Sequence, residues 1–200
     1  MFTGLVEDTG SFLSRSGDRF TFSAPEKIIG ALEKGSSVSV NGACLTVVEL
    51  AESGGRFSVD VSRETRQETT LGSFRSGDCV NLELPLEISG LSGRLDGHLV
   101  QGHVDTTGRI GRIKRQGKNR EVRVATDRSY GKYLADKGSV TVDGISLTPY
   151  HVTGGTFTVT VIPHTYENTN LKEKRSGSRV NIEFDVLAKY ASKILGEKRA

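Results

Sequence analysis

Polar and apolar residues alternate one for one over several short runs of the chain. In the first half these are Arg19-Phe20-Thr21-Phe22-Ser23, Ser37-Val38-Ser39-Val40 and Arg56-Phe57-Ser58-Val59-Asp60-Val61. In the second half they are Glu121-Val122-Arg123-Val124, Ser139-Val140-Thr141-Val142 and Thr156-Phe157-Thr158-Val159-Thr160-Val161. A period of two places every apolar residue of a run on one face, so these runs predict half-buried strands. Asn41-Gly42 and Asp143-Gly144 fall between such runs, where tight hairpin turns belong. Short helices are predicted over Pro25 to Lys34 and Ser129 to Lys137, with Pro25 at a first helical position and Gly35 and Gly138 as stops. Many short antiparallel strands in a limited length point to a small closed barrel, which leaves no free edge.

The pattern occurs twice. Thr65-Arg66-Gln67-Glu68-Thr69-Thr70-Leu71 returns as Thr165-Tyr166-Glu167-Asn168-Thr169-Asn170-Leu171, an offset of 165 − 65 = 100. At that offset Arg75-Ser76-Gly77 matches Arg175-Ser176-Gly177, and Val80-Asn81-Leu82-Glu83 matches Val180-Asn181-Ile182-Glu183. Asn41 to Thr46 parallels Asp143 to Thr148 at offset 102, behind the pairs Lys34-Gly35 and Lys137-Gly138. Thr3-Gly4-Leu5-Val6-Glu7 parallels Gln101-Gly102-His103-Val104-Asp105 at offset 98. Anchors in one order with drifting offsets mean a duplicated domain with altered loops; the period is too long for a solenoid unit. The boundary is expected near Ser89 to Gly97, where Ser89-Gly90-Leu91-Ser92-Gly93 is rich in glycine and serine. The expected fold is all-β: two tandem six-stranded antiparallel Greek-key barrels with short helices, over 1–97 and 98–184, then a C-terminal α-helix over 185–200. In that tail Val186, Leu187, Tyr190, Ala191, Ile194 and Leu195 follow helical spacing. Their apolar face fits packing on its own barrel and packing on another subunit equally well.

Charge and cysteine content narrow the function classes. Lys+Arg number 27 and Asp+Glu 24, so the net charge of 27 − 24 = +3 demands no nucleic-acid or acidic-lipid partner. The basic stretch Arg109, Arg112, Lys114, Arg115, Lys118, Arg120 and Arg123 lacks interleaved aromatics and reads as a solvated hairpin. No apolar run is long enough for a membrane span, and Met1 to Asp8 does not resemble a signal peptide. Cys44 and Cys79 are the only cysteines, too few for a disulfide framework or a structural zinc site, and a reduced cytoplasmic protein is expected. Cys79 falls within the strand-like run Asp78 to Glu83 and reads as packing.

Candidate chemistry gathers at the two hairpins. Asx-Gly suits a turn without further purpose, but a turn does not require Cys44-Leu45-Thr46 or Ser146-Leu147-Thr148 after it. Cys44 and Thr46 share a strand face, as do Ser146 and Thr148, and two small hydrogen-bonding groups on one face suit the carbonyls and nitrogens of a flat heterocycle. Cys44 has no evident neighbouring base in sequence to make it a nucleophile. His98 and His103 are five residues apart, without a third ligand for a metal; each fits a structural hydrogen bond or acid–base work. Composition and spacing stop at a tandem-barrel protein that binds small polar ligands, two per chain.

The motifs reach further. Met1 to Glu7, Asn41 to Thr46, Gly97-His98-Leu99-Val100-Gln101-Gly102-His103-Val104-Asp105, Val142 to Thr148 and Ile162-Pro163-His164-Thr165 resemble the alpha-chain riboflavin synthases. The likeness runs from Met1 to about Glu183 and is specific because the five motifs stand in order inside a duplication. It implies a homotrimer held by the C-terminal helix. It implies dismutation of two 6,7-dimethyl-8-ribityllumazine molecules to riboflavin and 5-amino-6-(D-ribitylamino)uracil, the last step of riboflavin biosynthesis. It also implies a reaction with no metal and no organic cofactor, a site formed between the N-terminal barrel of one subunit and the C-terminal barrel of its neighbour, and possible association with lumazine synthase. By similarity, a ligand of the N-terminal barrel meets Gly4, Leu5, Val6, Cys44, Leu45, Thr46 and the run Asp60, Val61, Ser62, Arg63, Glu64, Thr65. A ligand of the C-terminal barrel meets Gly102, His103, Val104, Ser146, Leu147, Thr148 and the run Thr160, Val161, Ile162, Pro163, His164, Thr165. Lys137 resembles the family's lysine that reaches a neighbouring subunit's ligand. The catalytic expectation rests on Ser146, Thr148, Cys44, His103 and Phe2, with Asp143 fixing its turn and His103 as the candidate base. Ala43 and the short tail after Glu183 depart from the family pattern. The rival reading is a non-catalytic lumazine- or flavin-binding relative, which keeps the barrels but loses residues in one repeat; here both hairpins are intact.

Overall fold

The structure, a computed structural model, describes residues 1–86 and 96–197. The Gly/Ser-rich boundary segment Ser89 to Gly93 lies outside the described residues. In the first repeat β1 (Asp8–Ser16), β2 (Arg19–Ser23), β3 (Ser37–Val40), β4 (Ala43–Ala51), β5 (Arg56–Asp60) and β6 (Cys79–Glu83) close a barrel in the order β1-β2-β5-β4-β3-β6. Its core holds Phe20, Phe22, Val38, Val40, Phe57 and Val59, apolar members of the alternating runs, joined by Phe12, Leu45, Val47, Val80 and Leu82. The second repeat contains β7 (Thr106–Gln116), β8 (Asn119–Ala125), β9 (Val140–Val142), β10 (Ile145–Leu147), β11 (Pro149–Thr153), β12 (Thr156–Val161) and β13 (Arg179–Phe184). Its order, β10-β9-β13-β7-β8-β12-β11, is that of the first repeat with one strand cut in two. The counterpart of β4 is interrupted at Thr148, ahead of Pro149, which has no N–H to give a ladder. The two end segments β10 and β11 are therefore joined through the chain itself at Thr148.

Both Asx-Gly turns have the expected geometry, with φ of 47° and 79° at Asn41 and Gly42 and 48° and 79° at Asp143 and Gly144. Other expectations shift. The helix over Pro25 to Lys34 contracts to α1 (Glu26–Ile29), because the backbone tightens to Ala31 N→Ile28 O and Leu32 N→Ile29 O, turning Leu32 into the core beside Ile28 and Ile29. The helix over Ser129 to Lys137 is a 3-10 turn at Arg128–Tyr133, capped by Asp127, whose Oδ1 accepts from Ser129 N at 2.8 Å. Lys137 has a φ of 65° and its N–H reaches Pro149 O, whereas in the first repeat Gly35 (φ 96°) bonds Val47 O. Lys137 thus matches Gly35, not Lys34. The alternation did not reveal α2 (Arg63–Glu68) and α3 (Pro163–Glu167), one turn or so each; the former is capped by Ser62 Oγ on Thr65 N, the latter started by Pro163.

The barrels meet on the outward faces of β6 and β13. Asn81 and Asn181 sit between inward valines and leucines or isoleucines, yet both are buried, because each outward face is covered by the other barrel. Asn81 Nδ2 donates to Asp143 O at 2.9 Å and its Oδ1 accepts from Asn170 N at 2.7 Å. Reciprocally, Asn181 Nδ2 donates to Asn41 O at 2.8 Å and its Oδ1 accepts from Thr70 N at 2.7 Å. The two turns abut so closely that a Cβ on Gly42 would fall 2.7 Å from Gly144 N, and the converse distance is the same. The repeats differ in charge at this interface. Asp143, fully buried, pairs through Oδ2 with Lys174 Nζ at 2.9 Å and Asn170 Nδ2 at 2.9 Å. The equivalent positions in the first repeat are Asn41 and Phe74, and Phe74 packs on Phe12 instead.

Helix α4 (Val186–Glu197) carries its apolar side away from its own barrel: Leu187, Tyr190, Ile194 and Leu195 each expose more than half their surface, while Lys189 and Ser192 face inward and are partly covered. Apart from half-buried Val186, the apolar face is thus turned away from its own barrel.

Replacing Lys174 by Met should lower unfolding free energy by about 3 kcal/mol, since it strands a buried carboxylate. Adding Asp143→Asn, which recreates the neutral arrangement of the first repeat, should recover most of that loss in urea denaturation; equal losses in the single and double variants would refute the ion-pair account.

Candidate active site

Each barrel's hairpin is completed by a segment from the opposite repeat. Cys44 N donates to Gly102 O at 2.8 Å, and Ser146 N donates to Gly4 O at 2.8 Å. Both glycines have φ near 77–79° and no room for a side chain: a Cβ at Gly102 would lie 2.5 Å from Cys44 Cβ, and one at Gly4 would lie 2.6 Å from Ser146 Cβ. Val104 packs on the N-terminal core and Val6 on the C-terminal core. The sequence-based partition is therefore reversed: Gly102, His103 and Val104 belong with Cys44, and Gly4, Leu5 and Val6 with Ser146. Nearness in sequence groups each segment with its own repeat, and the exchange is a tertiary fact.

The strands hold these segments by carboxylates. Glu83, at the end of β6, accepts from Thr3 N (2.6 Å), Thr3 Oγ1 (2.8 Å) and Gly4 N (3.1 Å). Glu183, at the end of β13, accepts from Gln101 N (2.7 Å) and Gly102 N (2.9 Å). Burial pushes both carboxyls above their ordinary range, and the bonds they accept oppose the shift. The repeated Val-Asn-Leu/Ile-Glu run was visible in sequence as a match between repeats. Its polar members stood on the strand face opposite the core, and that was the available sign of a second buried surface. A bridge between Phe2 and Val100, with Phe2 N→Val100 O at 2.7 Å, ties the two lent segments together, and a Cβ at Gly102 would sit 3.0 Å from the Phe2 ring. Phe2 is thus fully buried behind the Cys44 site.

A pocket of about 320 Å³ opens at the N-terminal barrel, walled by Ala43 and Cys44 of β4, by Glu64, Thr65 and Glu68 of α2 with Thr69, and by Gly102, His103 and Val104. Cys44 and Thr46 face outward while Leu45 enters the core, as the alternation requires. Of the expected run Asp60 to Thr65, Glu64 and Thr65 line this pocket; Val61 is core, and Asp60 pairs with Arg19 on the surface. Glu68 and Thr69 were not anticipated, because the helix that turns them inward was not.

In the C-terminal barrel β10 and α3 hold the places of β4 and α2. Ser146 is half-buried, Thr148 is exposed, and Leu147 and Val161 are buried in the core. Thr160, Ile162 and His164 are exposed, and Pro163 and Thr165 are half-buried. His98 Nδ1 lies 2.7 Å from Ser146 Oγ, and His98 N–H donates to Thr3 O. Burial holds the His98 imidazole below the usual histidine range, so it is neutral at pH 7. In the Nε2–H tautomer, Nδ1 accepts the serine proton and makes Oγ a better acceptor. Ser146 carries this imidazole partner where the other hairpin presents the thiol of Cys44, so the two sites differ chemically. Asp143 is not brought to either opening; its carboxylate is spent in the inter-barrel network. Lys137 is exposed at the turn that leads into β9. Among the described residues no three His, Cys, Asp or Glu side chains group as a metal site, and no helix is long and apolar enough to cross a membrane.

The lumazine binding domain family matches residues 3–85 and again 101–185. The chain is 38% identical to the riboflavin synthase of Actinobacillus pleuropneumoniae, covering 100% of this chain and 92% of that protein. It is 40% identical to the riboflavin synthase of Bacillus subtilis over 98% of this chain and 90% of that one, and 41% identical to that of Mycobacterium bovis over 98% of both. Among solved structures, LumP in complex with riboflavin superposes with a TM-score of 0.82 at 24% identity, covering 92% of this chain and 99% of LumP, a likeness of fold. With two matched copies spanning most of its length and full-length relatives near 40% identity, the chain belongs to the lumazine-binding family that includes the riboflavin synthases.

Proposed function

We propose that the chain is a riboflavin synthase: a transferase that moves a four-carbon unit between two molecules of 6,7-dimethyl-8-ribityllumazine, giving riboflavin and 5-amino-6-(D-ribitylamino)uracil. The observation that carries this reading is full-length identity near 40% to curated riboflavin synthases, together with retention of both hairpin sets, Cys44/Thr46 and Ser146/Thr148. Donor and acceptor are the same compound, which suits a duplicated protein with two related but chemically unequal sites. The reading divides the chain at 1–97, 98–184 and 185–200, in line with the two family matches.

In this reading the pocket at Cys44 takes one lumazine, with Glu64, Thr65 and Glu68 suited to the hydroxyls of a ribityl chain. The second lumazine lies at Ser146 and Thr148, beside Gly4, Leu5 and α3. Holding both rings in register supplies rate through proximity. A proton must leave the 7-methyl group, and His103, open to the pocket, is assigned as its acceptor. Neutral His98 orients Ser146, whose Oγ then accepts from an N–H or O–H of the ligand and fixes the ring in place. Phe2 acts as a positioning residue behind Gly102. The site is completed by a neighbouring subunit in a homotrimer, a reading supported by the outward apolar side of α4. Lys137 is assigned to reach the neighbour's ligand, and association with lumazine synthase is a further expectation of the family likeness. The protein works in the cytoplasm in this account.

Purified protein and 6,7-dimethyl-8-ribityllumazine, followed by absorbance, should yield one riboflavin per two lumazines consumed. A lumazine spectrum that shifts on binding and then stays constant would move the assignment to a non-catalytic binding protein. His103→Gln should lower kcat by about 10²-fold or more, with KM little changed; parallel losses in ligand affinity would remove His103 from the base role. Because only neutral His98 can accept from Ser146, and the base His103 must also be unprotonated, turnover should fall with a two-proton acid limb as pH drops, and His98→Gln should reduce that limb of the kcat profile to a one-proton slope. An unaltered limb would assign the titration to another group.

A further inference from the structure

The segment that lends His103 to the opposite barrel is gripped at both ends from β13. At its start Glu183 accepts from Gln101 N and Gly102 N. At its end Asp105 Oδ2 accepts from Phe184 N at 2.8 Å, and Asp105 N donates to Ile182 O at 2.9 Å. The same carboxylate takes Lys189 Nζ of α4 on both oxygens, at 3.0 and 3.1 Å. Lys189 and Asp105 are each about a fifth exposed at the side chain, so this pair is partly shielded from solvent. Tyr130 stacks on Phe184 with ring centroids 5.3 Å apart and donates its hydroxyl to Asp105 O at 3.3 Å. The first repeat has the same acid, Glu7, accepting from Leu84 N, but its lysine partner is Lys27 of α1. Only in the second repeat does the ion pair reach the C-terminal helix. That helix turns its polar side to its barrel and its apolar side outward. A polar tether, not an apolar seam, fixes it there.

We infer that Asp105 and Lys189 are positioning residues through which the seating of α4 sets the pocket around Cys44 in the other barrel. The path is short: Lys189 holds Asp105, Asp105 ends the segment Gly102–Val104, and that segment walls the pocket and bonds Cys44 N through Gly102 O. Whatever reorients α4, above all packing of its outward face on a second copy of this chain, is felt at Cys44. The inference rests on the assigned function only for its ligand arm; its thiol arm does not depend on that reading.

The test uses the full chain with Cys79→Ser, leaving Cys44 as the single thiol. Lys189→Met should speed alkylation of Cys44 by iodoacetamide about fivefold, as should Asp105→Asn, and the double variant should be no faster than either single one. Lys189→Arg, which keeps the charge, should stay within twofold of the parent. In the ligand arm, titration with 6,7-dimethyl-8-ribityllumazine should show the weaker binding in one class of site only, with KM raised more than kcat falls. Unchanged thiol rates in Lys189→Met, additive effects in the double variant, or the same acceleration in the control Ser192→Ala would overturn the inference. Absence of lumazine binding in the parent would instead strike the proposed function, and the thiol rates would still decide the coupling.

Discussion

Two carboxamides hold the molecule in its working arrangement. Asn81 and Asn181 each donate to a backbone carbonyl and accept from a backbone N–H of the opposite barrel. A neutral amide offers a donor and an acceptor on separate atoms of one short side chain, so aspartate or leucine at either place would orphan a buried backbone group at a cost of about 1–3 kcal/mol. The exchange is reciprocal, which sets the barrels about a pseudo-two-fold axis and presses the turns at Gly42 and Gly144 together. Everything at the site follows from that docking, because the segments that complete each hairpin arrive from the far barrel.

The near-symmetry is broken where charge and chemistry require it. Asp143 brings a carboxylate into the interface, and Lys174 neutralises it where the first repeat has Asn41 and Phe74. At the sites themselves, Ser146 is paired with His98, whereas the other hairpin presents the thiol of Cys44. A reaction between two copies of one molecule needs related cradles that treat them differently. Duplication supplies the likeness, and a handful of replaced side chains supplies the difference.

The carboxylates at the ends of β6 and β13 serve the same economy of parts. Glu83 and Glu183 are buried acids whose oxygens are occupied by the backbone of Thr3-Gly4 and Gln101-Gly102. Their ionised form accepts those bonds best, while burial favours the neutral one, and the compromise leaves their carboxyls above the usual range. Asp105 extends the clamp to α4 through Lys189, so a helix on the outside of one barrel is in mechanical contact with a pocket on the other.

The chain alone determined the strands, the two Asx-Gly turns, the duplication and the side-chain pairs on each hairpin, since these depend on alternation and on residues that prefer one local conformation. Arg19–Ser23 and Thr156–Val161 are strands with the bounds that the pattern assigns. Short helices were less legible: α2 and α3 are too brief for a 3.6-residue period to register, and Leu32 follows the core instead of continuing α1. What faces what was decided only in three dimensions. That Gly102 to Val104 serves Cys44, that Asp143 is consumed by an interface, and that the apolar side of α4 turns outward are consequences of how one barrel docks on another. No local preference encodes them, because each depends on the surface that a residue 27 to 111 positions away brings to it.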